Sequence, residues 1–574
     1  MTMRNLARLT GLLWTLGTLA CGTKAAPPDD GFRTGGTAGT PGGTNAGGGI
    51  AAGGTAGATN GGTSAASGGA SAGSNSGGTS PAGSGGVAPS SGGSTSASGS
   101  GGLVGTTGGT VTAGGAAGAA GGIAGASGSA GAAGGGAIAP TLVTSAENDY
   151  WNTKAQVTVL ATGTADLTLD VTTKYQQLSG FGGCFNEMGW DALSVLGIDE
   201  VTRAMKLLFD AKEGANFVYG RLPMGASDYS MSWYTLNDTT GDYAMEHFSI
   251  DRDKEKLIPF IRAALQVRPD IKLWASPWVV PSWMKSGSNL KNDAQTLGAH
   301  ALYMARFVEE YAKEGLKLVA IHPQNEPGYA QVRWTQAQFV DFIKTYLGPT
   351  FTQRNITAEI WCGTMSKDPD DTNIAKAVAL DADAMKYVKG FGVQWNLQAA
   401  VATLAQKGQV WQTEHKCGNY NFSTPYWDQS RYDAKKPQND HLYGEETWQL
   451  LRDWIVAGVN GYSAWNMVLD TVGMSLGNWP QNALLTVDRS TKRLIVTPAY
   501  YAFRHFSQYV QPNATRIKLS GSTDAIAFSN PDGSIVTEVY NKTTAPLKRT
   551  LAVGSTLYQF DVPAHGWATL RTAP

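Results

Sequence analysis

Cysteine, histidine and charge are all scarce in this chain, and each scarcity removes a class of function. The four cysteines and seven histidines in 574 residues show neither Cys-x-x-Cys nor His-Glu-x-x-His spacing, so no metal centre and no cofactor is expected. Beyond Cys21 only Cys184, Cys362 and Cys417 remain, too few and too widely spaced for a disulfide framework; at most one bridge is expected. A net charge of -1 without basic clusters argues against a nucleic-acid partner. Charge is missing altogether from Thr34 to Ala146, and residues 31–140 hold 41 of the 73 glycines. With almost no large apolar side chains to offset the entropy of ordering, that tract is expected to be a flexible linker.

Long hydrophobic runs are also absent. The most apolar N-terminal stretch, Leu9 to Ala20, is too short to span a bilayer, which takes about 20 residues. It follows Arg4 and Arg8 and ends at Cys21, the layout of a secretory signal. Leu16-Gly17-Thr18-Leu19-Ala20-Cys21 also resembles a bacterial lipoprotein signal, with its leucine displaced by one position, so Cys21 is a candidate lipidation site. Export to the outer membrane, the cell surface or the medium is expected, with membrane contact only through that N-terminal anchor.

What is present begins after the linker. Eight apolar runs of strand length lie between Gln177 and Asp470: Leu178 to Phe185, Phe217 to Met224, Ile271 to Pro277, Leu318 to Pro323, Ala358 to Gly363, Val388 to Trp395, Gln409 to Glu414 and Gly461 to Met467. Stretches mixing apolar and charged residues at helical spacing separate them, among them Thr202 to Phe209, Lys254 to Val267, Gly298 to Glu314, Trp334 to Leu347 and Glu445 to Val456. Strand alternating with helix eight times predicts an α/β fold, a (β/α)8 TIM barrel. The flanks Ala155 to Leu169 and Thr515 to Leu570 are rich in Val, Thr, Leu and Ile and are expected to meet in one small β-sandwich built from both ends. The expected division is 1–21 signal, 22–146 linker, 147–175 with 500–574 sandwich, and 176–499 barrel.

Barrel enzymes carry their chemistry where strands end. Two such ends finish on a carboxylate: His322-Pro323-Gln324-Asn325-Glu326-Pro327 and Trp411-Gln412-Thr413-Glu414, the two glutamates 88 positions apart. A retaining glycosidase needs one carboxylic acid to protonate the departing oxygen and one carboxylate to attack the sugar carbon, the pair about 5 to 5.5 Å apart. Other strand ends supply Asn186, Glu187, Arg221, Asp228, Trp278, Gln394, Trp395, Trp465, Asn466 and Asp470.

From roughly residue 172 to the C-terminus these segments resemble glycoside hydrolase family 30, which contains glucosylceramidases and β-1,6-glucanases. The resemblance rests on Gly180-Phe181-Gly182-Gly183-Cys184-Phe185, on Arg221 to Ser230, on Ala275-Ser276-Pro277-Trp278 with Pro281 to Lys285, on both glutamate motifs, on Trp465 to Asp470, and on Gly477-Asn478-Trp479. It implies that Glu326 is the acid/base and Glu414 the nucleophile. It further implies that Asn325 serves the sugar 2-hydroxyl, that Asp228, Trp278 and Asn478 contact the sugar, and that Trp465 is a floor beneath it. Arg221 is expected beside Glu414, keeping it ionised, and Trp395 is counted among the substrate-binding residues. Where many relatives carry His-Trp this chain has Gln394-Trp395, so no titrating group is expected there. Glu187 is the rival carboxylate, read as a substrate-side or helix-start residue, while Trp190, Trp274 and Trp361 are assigned to the core.

The resulting expectation is an exported retaining β-glycosidase acting on β-1,6-glucan or a glucosylceramide-like glycolipid, with xylan and β-1,6-galactan as family alternatives. Two other classes stay open, a non-catalytic carbohydrate-binding surface protein and an adhesin in which the stalk is the functional part.

Overall fold

A computed structural model describes residues 138–415, 431 and 440–574. The signal, Cys21, the linker as far as residue 137, and Cys417 lie outside the described residues.

All eight expected barrel strands form: β1 Gly180–Cys184, β2 Tyr219–Pro223, β3 Lys272–Ser276, β4 Leu318–Ile321, β5 Glu359–Met365, β6 Val388–Val393, β7 Gln409–His415 and β8 Gly461–Asn466. They pair in parallel in chain order and close when Gly461 and Tyr462 of β8 meet Gly180 and Phe181 of β1. Strands covered on both faces read as unbroken apolar runs, which is how the sequence shows them. Glycine in β1 is a matter of space: a Cβ on Gly182 would sit 2.2 Å from the Tyr219 carbonyl oxygen, so β1 and β2 pack this closely only without a side chain.

The barrel interior is filled by indoles from alternate strands, Trp274 of β3, Trp361 of β5 and Trp411 of β7, with the Trp361 and Trp411 ring centres 4.0 Å apart. Each indole removes on the order of 150–250 Å² from water, several kcal/mol at about 25 cal/mol/Å². Trp274 and Trp361 are core residues, as expected, whereas Trp190 is only partly buried, against Phe260.

Outer helices follow the amphipathic stretches. Ala294–Lys313 buries Leu297, Ala301, Met304 and Ala305 on one side, and its N-cap Asp293 accepts the Thr296 N–H. The stretch expected from Trp334 starts at Gln336, passes into a π-turn at Phe342–Leu347 and resumes at Gly348–Gln353.

Both ends of the chain do build the second layer, a ten-stranded sheet in which Thr141–Ala146 and Leu167–Leu178 lie among the strands following residue 513. Two boundaries differ from the sequence reading. Thr141–Ala146 is a strand inside the stretch read as linker, buried at Leu142 and Val143 and paired with Gly566–Thr572. Lack of charge hid it, because a half-buried strand needs none. Residues 500–509, read as sandwich, belong to the helix Pro498–Tyr509, whose cap Thr497 accepts the Tyr500 N–H. Its buried aromatics, Tyr500, Phe503 and Phe506, join the same core as the barrel.

Sheet and barrel are joined by a dry polar chain. The Ser145 hydroxyl lies 2.8 Å from His505 Nε2, His505 Nδ1 lies 2.6 Å from the Thr569 hydroxyl, and that hydroxyl lies 2.7 and 2.8 Å from the two Glu538 oxygens. None of the four is more than 1% exposed.

Candidate active site

The carboxyl ends of β2, β4, β6 and β7 bring Arg221, Glu326, Gln394 and Glu414 into one hydrogen-bonded cluster. Arg221, fully buried, is its hub. Its Nη1 donates to Glu414 Oε2 at 2.7 Å, and its Nη2 donates to Asn325 Oδ1 at 2.8 Å and to the Ser276 hydroxyl at 3.0 Å. The guanidinium carbon lies 4.2 Å from the Trp278 ring centre, 5.2 Å from that of Trp274 and 5.5 Å from that of Trp465. A weakly hydrated planar cation is the one that tolerates such a setting, flanked by ring faces and carrying directed donors at its edge.

Glu414, 4% exposed, is held at both oxygens: Trp395 Nε1 donates to Oε1 at 2.8 Å, while Arg221 and Gln394 serve Oε2. Glu326 is less deeply placed, with intermediate exposure at the mouth. It sits at φ +49°, as does Trp395. That left-handed conformation is uncommon for such side chains and costs on the order of 1–3 kcal/mol unless its surroundings enforce it. Here the Glu326 N–H donates to the Thr364 carbonyl, and the Glu326 carbonyl accepts from Tyr329 and Ala330.

Gln394 closes the arrangement. Its Nε2 lies 3.2 Å from Glu326 Oε1 and 3.1 Å from Glu414 Oε2, and its own Oε1 accepts from the Thr413 hydroxyl at 3.0 Å. The sequence marked it as a strand end and as a departure from its relatives, but assigned it no contact. Nothing in a sequence shows that one amide will reach two carboxylates from different strands.

Burial pushes both carboxyl groups up, but unequally. Glu326 is raised to about 8, by burial first, then by the charges of Glu414, Asp371 and Asp228. Burial also raises Glu414, yet Arg221, Trp395 and Gln394 all pull against it, so Glu414 is the member of the pair that ionises first. Asp228 is pushed up to about 7, by burial and then by Glu414.

The remaining expected site residues divide. Asn325 Oδ1 accepts from Arg221, Thr364 and Gln394, leaving its Nδ2 as the group able to donate to a ligand. Asp228 accepts from Gln331 Nε2 at 3.0 Å. Trp278 and Trp465 stack at 5.1 Å with 16° between their planes, and at 0% and 1% exposure they wall in Arg221. Asn478, at φ +63°, lies on an exposed loop attached to the site by the Leu476 N–H donating to the Asp228 carbonyl at 2.7 Å. Glu187 stands apart from the cluster. It is fully buried at the start of Glu187–Leu193, its carboxylate paired with Arg252 at 2.8 Å and accepting the Met231 N–H, which makes it the helix-start residue of the two readings offered. Among the described residues no group of three His, Cys, Asp or Glu is arranged to hold a metal ion, and Cys184 and Cys362 are free and buried.

A closed parallel barrel with two carboxylates and a buried arginine at its mouth is the build of a barrel glycoside hydrolase. Residues 178–510 match the glycosyl hydrolase family 30 TIM-barrel domain, and residues 513–570 match the family's beta sandwich domain. The chain belongs to glycosyl hydrolase family 30. It is 29% identical to the lysosomal acid glucosylceramidase of Mus musculus over 67% of this chain and 79% of that protein. It is 24% identical to the endo-1,6-beta-D-glucanase neg1 of Aspergillus fumigatus over 66% of this chain and 81% of that protein. The solved structure of the endo-beta1,6-glucanase BT3312 superposes with a TM-score of 0.67 at 23% identity, covering 76% of this chain and 99% of the other.

Proposed function

We propose that this glycoside hydrolase cleaves β-glucosidic bonds with retention of configuration, Glu414 serving as nucleophile and Glu326 as acid/base. One observation carries the reading: a single nitrogen, Gln394 Nε2, is within hydrogen-bond reach of both carboxylates. That shared donor holds the nearer oxygens of the two groups close together, as the pair of a retaining enzyme, about 5 to 5.5 Å apart, requires.

In the first half-reaction the protonated Glu326 gives its proton to the glycosidic oxygen while Glu414 attacks the anomeric carbon, breaking the bond to the leaving group and forming a glycosyl ester. Arg221 and Trp395 hold the attacking carboxylate in one orientation, and the asymmetry in proton affinity gives each glutamate its role. In the second half-reaction Glu326, now ionised, takes a proton from water. That water attacks the anomeric carbon and frees Glu414. Asn325 Nδ2 is placed to serve the sugar 2-hydroxyl, a contact that strengthens as the oxocarbenium-like state forms.

The substrates we favour are β-1,6-glucan and a glucosylceramide-like glycolipid, ahead of xylan. The glucosylceramidase and glucanase relatives support both. Trp479 and Met474, on the loop that carries Asn478, are 48% and 41% exposed, offering a leaving group an apolar surface that suits a sugar face or a lipid. We further propose that residues 1–21 direct export, that Cys21 takes a lipid, and that the glycine-rich tract tethers the enzyme. Loss of lipid labelling in Cys21→Ser tests that part.

The deciding experiment follows the anomeric configuration of product released from β-1,6-glucan, glucosylceramide, xylan and aryl β-glucosides by wild type, Glu326→Gln and Glu414→Gln. Retention, with activity collapsing in the Glu414 variant, is expected. Inversion, or activity surviving the loss of Glu414, overturns the assignment.

A further inference from the structure

Asp371 is the third buried carboxylate near Glu326, and no step above uses it. It is the second residue of the helix Asp370–Leu380, which follows β5, and it is completely buried. Its Oδ1 accepts the Gly328 N–H at 2.6 Å, and its Oδ2 accepts the N–H groups of Ser366 at 2.7 Å and Lys367 at 3.1 Å. Gly328 belongs to the turn that carries Glu326, whereas Ser366 and Lys367 follow β5. One side chain thus joins the turns after two neighbouring strands. The approach leaves no room for anything but glycine, since a Cβ at position 328 would meet Asp371 Oδ1 at 2.8 Å. The same stretch after Glu326 supplies Gln331, which reaches Asp228.

We propose that Asp371 is a positioning residue for the acid/base: its carboxylate ties the turn after Glu326 to the turn after β5 and so pins Glu326 in its left-handed conformation. The inference rests on Glu326 being the acid/base. The groups facing Glu326 are Glu414 from β7, Asp228 after β2, Asp371 after β5 and the Ser366 hydroxyl; the first three hold its proton on and the last favours release. The neutral Gln394 amide touches it without titrating. At Asp371 itself, burial, with a smaller push from the neighbouring Asp370, raises the pKa on balance, while three backbone N–H donors pull against it in favour of the anion.

The test is kcat/KM against pH for wild type, Asp371→Asn and Asp371→Glu on aryl β-glucosides with good and poor leaving groups. Asp371→Asn is expected to move the basic limb down by about one pH unit, the scale on which a buried like charge acts, and to slow poor leaving groups more than good ones. Asp371→Glu keeps the charge and is expected to leave the limb in place. A basic limb that stays put in Asp371→Asn, with only thermal stability reduced, overturns the proposal. Should that variant fail to fold, Gly328→Ala disturbs the clamp with its charge intact: a greater loss on poor leaving groups supports the proposal, and an equal loss on all of them sinks it. Glu326→Gln assayed with a dinitrophenyl glucoside and azide separates the underlying reading. Rescue by azide keeps Glu326 as acid/base whatever Asp371 does, and absence of rescue removes that foundation.

Discussion

Two glutamates in this molecule have their proton affinity pushed the same way in opposite surroundings. Glu326 at the barrel mouth and Glu538 in the seam between sheet and barrel are both pushed up to about 8 by burial. Glu538 is fully enclosed and ends a chain of hydroxyls and imidazole, both of its oxygens facing the Thr569 hydroxyl. With Ser145 donating to His505 Nε2 and His505 Nδ1 to Thr569, the Thr569 hydroxyl is left to donate to Glu538, so the chain runs in one direction; His505 stays neutral, its pKa pushed well down by burial. Glu326 instead keeps partial exposure, strained backbone and three further carboxylates in range. A displaced pKa alone therefore does not single out a catalytic group; the like charges gathered at an accessible opening are what set Glu326 apart.

The comparison can be broken in four ways. The largest effect is expected from Glu414→Gln, which should lower kcat on the order of 10⁴-fold in a steady-state assay because no covalent intermediate can form; Glu538→Gln should leave kcat untouched. Next, Gln394→Ala removes the donor shared by both carboxylates and is expected to cost about 10²-fold in kcat, the scale for one oriented donor at a reacting centre. Glu538→Ala should instead appear in denaturant melts as a loss of roughly 1–3 kcal/mol, since it leaves the Thr569 hydroxyl without its buried acceptor. The smallest effect concerns pH. The folded-state pKa of Glu538 lies above the 4.5 of a free glutamate, so its contribution to stability is complete below about pH 4.5 and is lost as pH rises through about 8. Glu538→Gln, always neutral, should flatten that part of the stability profile. Glu326 has the same sign, but its titration should also surface in kcat/KM as a fall near pH 8, which Glu538 cannot produce. A seam variant that moved the activity profile would erase the distinction.

Most of this architecture was legible from residues alone, because a parallel barrel writes its strands as continuous apolar runs and its chemistry at their ends. Arg221 lies beside Glu414 as expected. What stayed hidden shares one property, dependence on contacts between distant segments. Gln394 links two strands, Asp371 links two turns, and Glu187 owes its meaning to Arg252, which lies 65 positions away. The strand Thr141–Ala146 was missed for a related reason: its only signal is a short apolar run, and one of its two partners, Gly566–Thr572, lies more than 400 residues away in sequence.

That pairing also sets the order in which the molecule can be finished. Thr141 lies opposite Arg571, so the first strand of the fold leaves the ribosome long before the segment that completes it. The barrel is able to close once β8 reaches β1, while Thr141–Ala146, and Ser145 with it, wait for Gly566–Thr572, which sits between Thr141–Ala146 and Ile535–Asn541. Until it arrives, both of those strands present open edges, the kind that recruit other chains. A chain lacking Gly566–Thr572 would therefore keep the barrel strands and both candidate glutamates in a protein prone to aggregate.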